Sequence, residues 1–166
     1  MIKLIRLDER LIHGQIAIKW SRHTNVTHII VANDSAASNS VIKKSLMMAA
    51  PGHLKTQIVP VEQAINLLND PRCADLKVLV IVKNPKDMNT VLDACPTVEV
   101  ETINIGNYGR VEPKNPGYDR VTYGRNLYID ETELPEFKKI VANGRKAIYQ
   151  TTPEEPAEDL ETLLNK

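Results

Sequence analysis

The run Ile2 to Leu7 is apolar and β-rich, broken only by Lys3 and Arg6, a pattern that suits a strand covered on both faces. Gly14 to Arg22 follows at helical spacing, with Ile16, Ala17 and Trp20 on one stripe and Lys19 and Arg22 off it. Val26 to Ala32 is a second buried-strand pattern. It ends at Asn33-Asp34-Ser35, capping residues for a helix through Val41, Leu46, Met47 and Ala50 that Pro51-Gly52 stops. Gln57 to Val61 predicts a shorter third strand, and Val61 to Leu68 a helix ended near Asn69-Asp70-Pro71. Leu76 to Val82 is the plainest strand, followed by Pro85 in the first turn of a helix through Met88, Val91 and Leu92.

Val98 to Ile105 alternates apolar and polar residues up to Gly106. The stretch from Gly106 to Arg125 is rich in Gly, Arg and Tyr and has no helical period, which predicts a long loop or a pair of short irregular strands. Leu127 to Ile129 predicts a short strand, and Asp130 and Thr132 are caps for a helix holding Leu134, Phe137, Ile140 and Val141. Ala147 to Tyr149 is a last strand. A linker near 151–156 and a terminal helix over 157–165 close the chain. Strands alternating with helices at this spacing predict an α/β fold: an open, mostly parallel β-sheet with helices on both faces, in a single domain over 1–166. Ligands of such sheets sit beyond the carboxyl ends of strands where the strand order reverses. The three most polar strand ends, Asp8 to His13, Asn33 to Ser35 and Gly106 to Arg110, are therefore the candidate site.

Composition narrows the function. The 166 residues carry 21 basic and 21 acidic side chains, so no overall field draws the chain to nucleic acid or an anionic membrane. The longest apolar runs, such as Val78 to Val82, fall far short of the roughly 20 residues that cross a bilayer. Strand-like sequence starting at Ile2, with no charged and apolar leader before it, argues against a signal peptide and for a cytoplasmic protein. Cys73 and Cys95 have neither metal-ligand nor redox spacing and read as ordinary reduced thiols; no metal and no cofactor is expected.

The densest chemistry lies in Arg6-Leu7-Asp8-Glu9-Arg10-Leu11-Ile12-His13-Gly14-Gln15. A neutral imidazole can accept a phosphoryl group through one nitrogen while a hydrogen bond holds the other. Arg6 and Arg10 offer guanidinium forks to phosphoryl oxygens, the helix beginning at Gly14 offers free N–H groups, and Asp8 can orient the ring or hold an arginine. On residue chemistry alone the turn reads equally well as a solvated bend whose arginines and carboxylates pair across a strand end. Asp34 and Ser35 suit either the site or a helix cap. His23, His28 and His53 suit surface, cap or loop roles. Tyr108, Tyr118, Tyr123 and Tyr128 with Arg110, Arg120 and Arg125 make either a contact surface or a loop packed by its own tyrosines.

The segment Arg6 to Trp20, RLDERLIHGQIAIKW, resembles the phosphorylation-site segment of the IIB components of the mannose/fructose/sorbose family of the bacterial sugar phosphotransferase system (PTS). That family reads close to R-I-D-D/E-R-L-I-H-G-Q-V-x-x-x-W. The likeness continues through IIVAND at Ile29 to Asp34, MAAPG at Met48 to Gly52, the NIG that ends at Gly106, and the terminal helix.

The resemblance implies a protein-N(π)-phosphohistidine–sugar phosphotransferase in which His13 takes a phosphoryl group from phosphorylated IIA and passes it to a sugar held by the membrane components IIC and IID. It implies catalytic roles for His13, Asp8, Arg10 and Arg6, with Gly14 and Gln15 following the histidine as in the family; Asp34, Ser35, Gly106 and Asn107 join Gly14 and Gln15 as candidate substrate contacts from their place at the polar strand ends. It also implies a free-standing IIB chain peripherally associated with its permease; a homodimer is left open. Gly106-Asn107-Tyr108-Gly109 replaces the glycine-glycine-methionine of mannose-type members, which fits a sorbose, fructose or amino-sugar branch as well. Two alternatives stay beside it, a receiver-like phosphoacceptor domain and a histidine-type phosphatase. No aspartate ends the Leu76 strand, as the first would need, and Ile12 stands where the second needs arginine.

Overall fold

The computed structural model describes residues 1–166. Strands β1 (Ile2–Leu7), β2 (His28–Ala32), β3 (Lys55–Val59), β4 (Val78–Val82), β5 (Ile103–Ile105), β8 (Ile148–Tyr149) and β9 (Glu158–Asp159) form one sheet in the order β3-β2-β4-β1-β5-β8-β9. All neighbours pair parallel except β8 and β9. Strands β6 (Val121–Gly124) and β7 (Leu127–Ile129) make a separate antiparallel hairpin. The helices are α1 (Gly14–Thr24), α2 (Asp34–Ser38), α3 (Ser40–Ala49), α4 (Val61–Asn69), α5 (Pro85–Ala94), α6 (Leu134–Ile140) and α7 (Leu160–Leu164).

Alternation along the strands divides the interior into two cores. Ile5, Leu7, Val78, Val80, Val82, Ile30 and Ala32 face α4, α5, α6 and α7, with Met88, Val91, Phe137, Ile140 and Leu160 opposite them. Leu4, Leu79, Ile81, Ile29 and Val31 face α1, α2 and α3 through Ala17, Trp20, Ala36 and Leu46. Each fully buried aliphatic contributes about 1.5–3 kcal/mol of transfer free energy, so helices on both faces are what this strand pattern requires. Arg6 shares the parity of Leu4 and is therefore aimed into the α1 side of the sheet.

Three local features depart from the pattern. The helix expected after Asn33 is two, because Asn39 is extended and its side chain accepts from the Val41 and Ile42 amides, starting a new helix. In α3 only Leu46 is buried, and Val41 and Met48 are 76% and 79% exposed. The terminal helix is shorter than 157–165: Glu158 and Asp159 add an antiparallel edge strand, and Asp159 caps α7 by accepting from the Thr162 amide. Thr151, heading the expected linker, is buried and its carbonyl accepts from Arg6.

The chain leaves β1 toward β2 on one side and leaves β5 toward β8 on the other. The sheet order thus reverses between two adjacent parallel strands, which opens a crevice at their carboxyl ends. The turn after β1 carries His13, and the loop after β5 begins at Gly106.

Candidate functional site

The floor of the crevice is a buried ion pair. Arg6 and Asp8 are both almost inaccessible, and Arg6 Nη2 lies 3.0 Å from Asp8 Oδ2. The Arg6 guanidinium also donates to Asn104 Oδ1, to the Gln150 carbonyl at 3.1 Å and to the Thr151 carbonyl at 3.1 Å, and it stacks 5.3 Å from the Trp20 ring centroid. Burial pulls its pKa down and Asp8 pulls it back up. Nε alone has no partner. Arg6 was expected to grip phosphate; the structure spends its fork on protein acceptors instead, so it acts as a post beneath the site. Trp20 Nε1 donates to the same Thr151 carbonyl at 3.0 Å, which ties the 151–156 segment to the floor.

Asp8 is the hub above that post. Its Oδ1 accepts the Arg10 amide at 3.0 Å and its Oδ2 accepts Asn107 Nδ2 at 3.0 Å. His13 Nε2 lies 4.0 Å from the same Oδ2. The turn is tight: Leu11 donates its amide to the Asp8 carbonyl and adopts φ +57 although buried, a left-handed conformation costing about 1–2 kcal/mol for a side chain of this kind. That conformation brings the Leu11 carbonyl 2.9 Å from His13 Nδ1. A carbonyl only accepts, so Nδ1 is the donor in this contact.

His13 occupies the N-cap position of α1, with extended backbone and no side-chain cap on the first turn. The amides of that turn are thus available to an anion, and the helix dipole favours one there. Gly14 begins α1 at φ +46, a conformation glycine adopts without steric cost. Gln15 and Arg10 are exposed, and the Arg10 guanidinium has no protein partner. Of the two arginines singled out, Arg10 is the one free to meet a phosphoryl oxygen.

The far wall is the loop after β5. Gly106 packs against the Arg6 fork so closely that a Cβ would sit 2.2 Å from Nη2. Asn107 accepts the Glu9 amide at 2.9 Å as well as donating to Asp8. Tyr108 donates its hydroxyl to Glu133 at 3.0 Å, and burial first, then Glu133, pushes its pKa up. Arg120 is nearly buried against Glu133 at 2.8 Å and donates to the carbonyls of Gly109, Glu112 and Pro113. Tyr108 and Arg120 are therefore internal struts, whereas Arg110 and Arg125 are exposed.

Asp34 and Ser35 stand apart. They follow β2, which β4 separates from β1, and Asp34 Oδ1 accepts the Val61 amide at 2.8 Å at the start of α4. Ser35 is exposed on α2. Asp34 lines a different, acidic cleft of about 700 Å³ with Glu62, Asp87, Glu133 and Glu136. Asn104, Trp20 and the Gln150 and Thr151 carbonyls are the parts that sequence reasoning missed. Asn104, a polar residue between Ile103 and Ile105 in a short buried strand, and Trp20, the last residue of the family pattern, were the visible signals.

The model of the PTS sorbose-subfamily IIB component matches residues 2–166. The chain belongs to this family. A protein named as a probable phosphotransferase enzyme IIB component from Streptococcus pyogenes is 34% identical over 166 residues, covering 99% of this chain and all of that one. The mannose-specific EIIAB component of Escherichia coli is 30% identical over the whole chain, which corresponds to 49% of that protein. The IIB domain of the Klebsiella pneumoniae sorbose permease superposes with a TM-score of 0.87 at 28% identity, covering 99% of this chain and 96% of that one. As a sorbose-family IIB component the chain has the α/β fold expected of it, and the family's role is phosphotransfer in sugar uptake together with IIA and membrane IIC and IID components. The receiver-like and phosphatase alternatives find no support. No helix is long and apolar enough to cross a membrane.

Proposed function

We propose that His13 carries the phosphoryl group, taking it from a phosphohistidine on a IIA protein or domain and giving it to a sugar presented by membrane IIC and IID components, with which the chain associates peripherally. The observation that carries this reading is the position of His13: side chain 15% exposed, at the uncapped N-terminus of α1, at the sheet's reversal point. As the bond from phosphorus to His13 forms, the bond from phosphorus to the donor ring breaks. Arg10 and the first amides of α1 take up the charge spread over the three oxygens, and the site lies ready-made for that charge.

Geometry also bears on which nitrogen reacts. A phosphoryl group on Nε2 would face the Asp8 carboxylate 4.0 Å away, where each pair of like unit charges repels by about 4 kcal/mol at an effective dielectric near 20, before the offset from Arg6. Reaction through Nδ1 requires the tautomer with the proton on Nε2, so Nδ1 gives up its proton and its Leu11 hydrogen bond, about 1 kcal/mol net, and Nε2–H is left to donate to Asp8. We therefore infer Nδ1, the N(π) position, with Asp8 as its orienter. Incubating the chain with phosphorylated IIA and recording long-range proton–nitrogen and phosphorus spectra tests both points. The expected result is a single phosphohistidine at residue 13 bonded through Nδ1, absent from His13→Ala. Stoichiometric labelling of that variant would exclude His13, and a product bonded through Nε2 would exclude the role given to Asp8.

A further inference from the structure

Glu9 takes no part in the chemistry above, yet the residue is 3% exposed and its carboxylate accepts four consecutive backbone amides. Gly109 and Glu112 donate to Oε1, each at 3.0 Å, and Arg110 and Val111 donate to Oε2 at 2.9 and 3.2 Å. These amides belong to no helix or sheet, so a buried anion stands in for the secondary structure this loop lacks. The loop's carbonyls are gathered on another charged side chain, since Arg120 receives those of Gly109, Glu112 and Pro113. Gly109 passes so near β7 at φ +97 that a Cβ would lie 2.1 Å from the Tyr128 carbonyl oxygen.

The loop so folded turns Arg110 and Val111 outward. Val111 is 60% exposed, and the Arg110 guanidinium lies 5.2 Å from the Tyr128 ring centroid, bonded to the Tyr128 hydroxyl and the Arg125 carbonyl. Inward, the same loop reaches the reacting turn: Asn107 bonds both the Glu9 amide and Asp8 Oδ2. Adjacent residues of one turn thus have separate tasks, with Asp8 beside the imidazole and Glu9 behind the wall.

We propose that Glu9 is a positioning residue whose carboxylate shapes loop Gly109–Glu112 into the docking rim for the protein phosphoryl donor, while its main-chain amide, which Glu9→Gln keeps, holds Asn107. Arg110 presents a cation and Val111 an apolar contact to the donor's anionic, phosphate-bearing surface, on the same rim as the exposed Arg10. The inference rests on the reading of His13 as phosphoryl acceptor. It separates recognition of the protein donor, which needs the rim, from the acceptor chemistry, which does not.

The test is Glu9→Gln, whose carboxamide keeps one acceptor oxygen and turns an NH2 group toward two of the four amide donors. Hydrogen exchange at amides 109–112 should accelerate. The phosphorylated IIA concentration giving half-maximal labelling of His13 should rise roughly tenfold or more, as expected for losing hydrogen bonds to a charged acceptor. The limiting rate, and the rate with phosphoramidate as a donor lacking a protein surface, should stay at their unsubstituted levels. Arg110→Ala, which leaves the amide cluster intact and avoids a folding defect, should raise the same half-maximal concentration without changing exchange. Glu9→Asp, keeping the charge on a shorter stem, should recover part of the loss. Unchanged amide exchange in Glu9→Gln, equal loss with both donors, or an unchanged half-maximal concentration in Arg110→Ala would overturn the proposal. Failure of the unsubstituted chain to label from either donor would instead overturn the reading of His13, and is distinguishable because it needs no substitution.

Discussion

Arg6 offers a test between two roles that the sequence leaves equally open. If its guanidinium grips a transferring phosphoryl group, Arg6→Ala removes a functional contact from a solvent-facing site and leaves the fold alone. The structure instead buries Arg6 with Asp8 and spends its donors on Asn104 and on the Gln150 and Thr151 carbonyls. Truncation would strand the Asp8 carboxylate in the interior with two neutral donors, the Arg10 amide and the Asn107 side chain. Breaking a buried ion pair from one side costs about 3–5 kcal/mol, which for a chain of this size lowers the thermal midpoint by about 6–20 °C. Urea unfolding followed by circular dichroism and by the fluorescence of Trp20, the single tryptophan, measures it. The double substitution Arg6→Met with Asp8→Leu should recover part of the stability, because removing both charges leaves neither unpaired, while phosphoryl labelling stays impaired. An Arg6→Ala protein within about 1 kcal/mol of the unsubstituted chain that nevertheless fails to label would refute the structural reading.

Arg10→Ala should behave oppositely, slowing labelling by about ten- to a thousandfold while shifting the urea midpoint little, and a normal single-turnover rate would remove it from the site. Gly106→Ala should destabilise by about 1–3 kcal/mol through overpacking against the pinned Arg6 fork, seen in the same urea series. Gly14→Ala meets open space, so only its positive φ opposes the substitution, and a loss of about 1 kcal/mol is expected; a gain in stability would show that the turn relaxes. Asp70, held down to about 2 by Arg72, and Asp93 and Asp159, held down by Arg145 and by the Thr162 amide, all ionise below the usual carboxylate range. Groups with depressed pKa values stabilise the fold above the unfolded value and lose that contribution as pH falls through the folded one. Their share of stability should therefore be constant from neutrality to about pH 5 and decline below about pH 4, a decline that a urea series across pH 2–6 records, and that Asp93→Asn should reduce.

The sequence by itself determined the layers and the candidate turn. Strand alternation in Val78 to Val82 and Ile29 to Ala32 specifies two covered faces because every second residue needs an apolar partner. The run from Arg6 to Gln15 marks its own turn because local chemistry and a helix start coincide there. Tertiary structure alone decided what each charge does. Arg6 and Arg10 are indistinguishable by type, yet strand parity sends Arg6 inward, while Arg10 lies in the exposed turn. The fate of Arg6 depends on Asn104, Gln150 and Thr151, which lie about a hundred residues or more away along the chain. Asp34 has the right residue type at a strand end, and only the insertion of β4 between β2 and β1 sets it in another cleft. Hydrophobic periodicity is local and can be read from neighbours in sequence. Whether a buried charge is paired depends on which distant strands lie beside it, and that is fixed by sheet order.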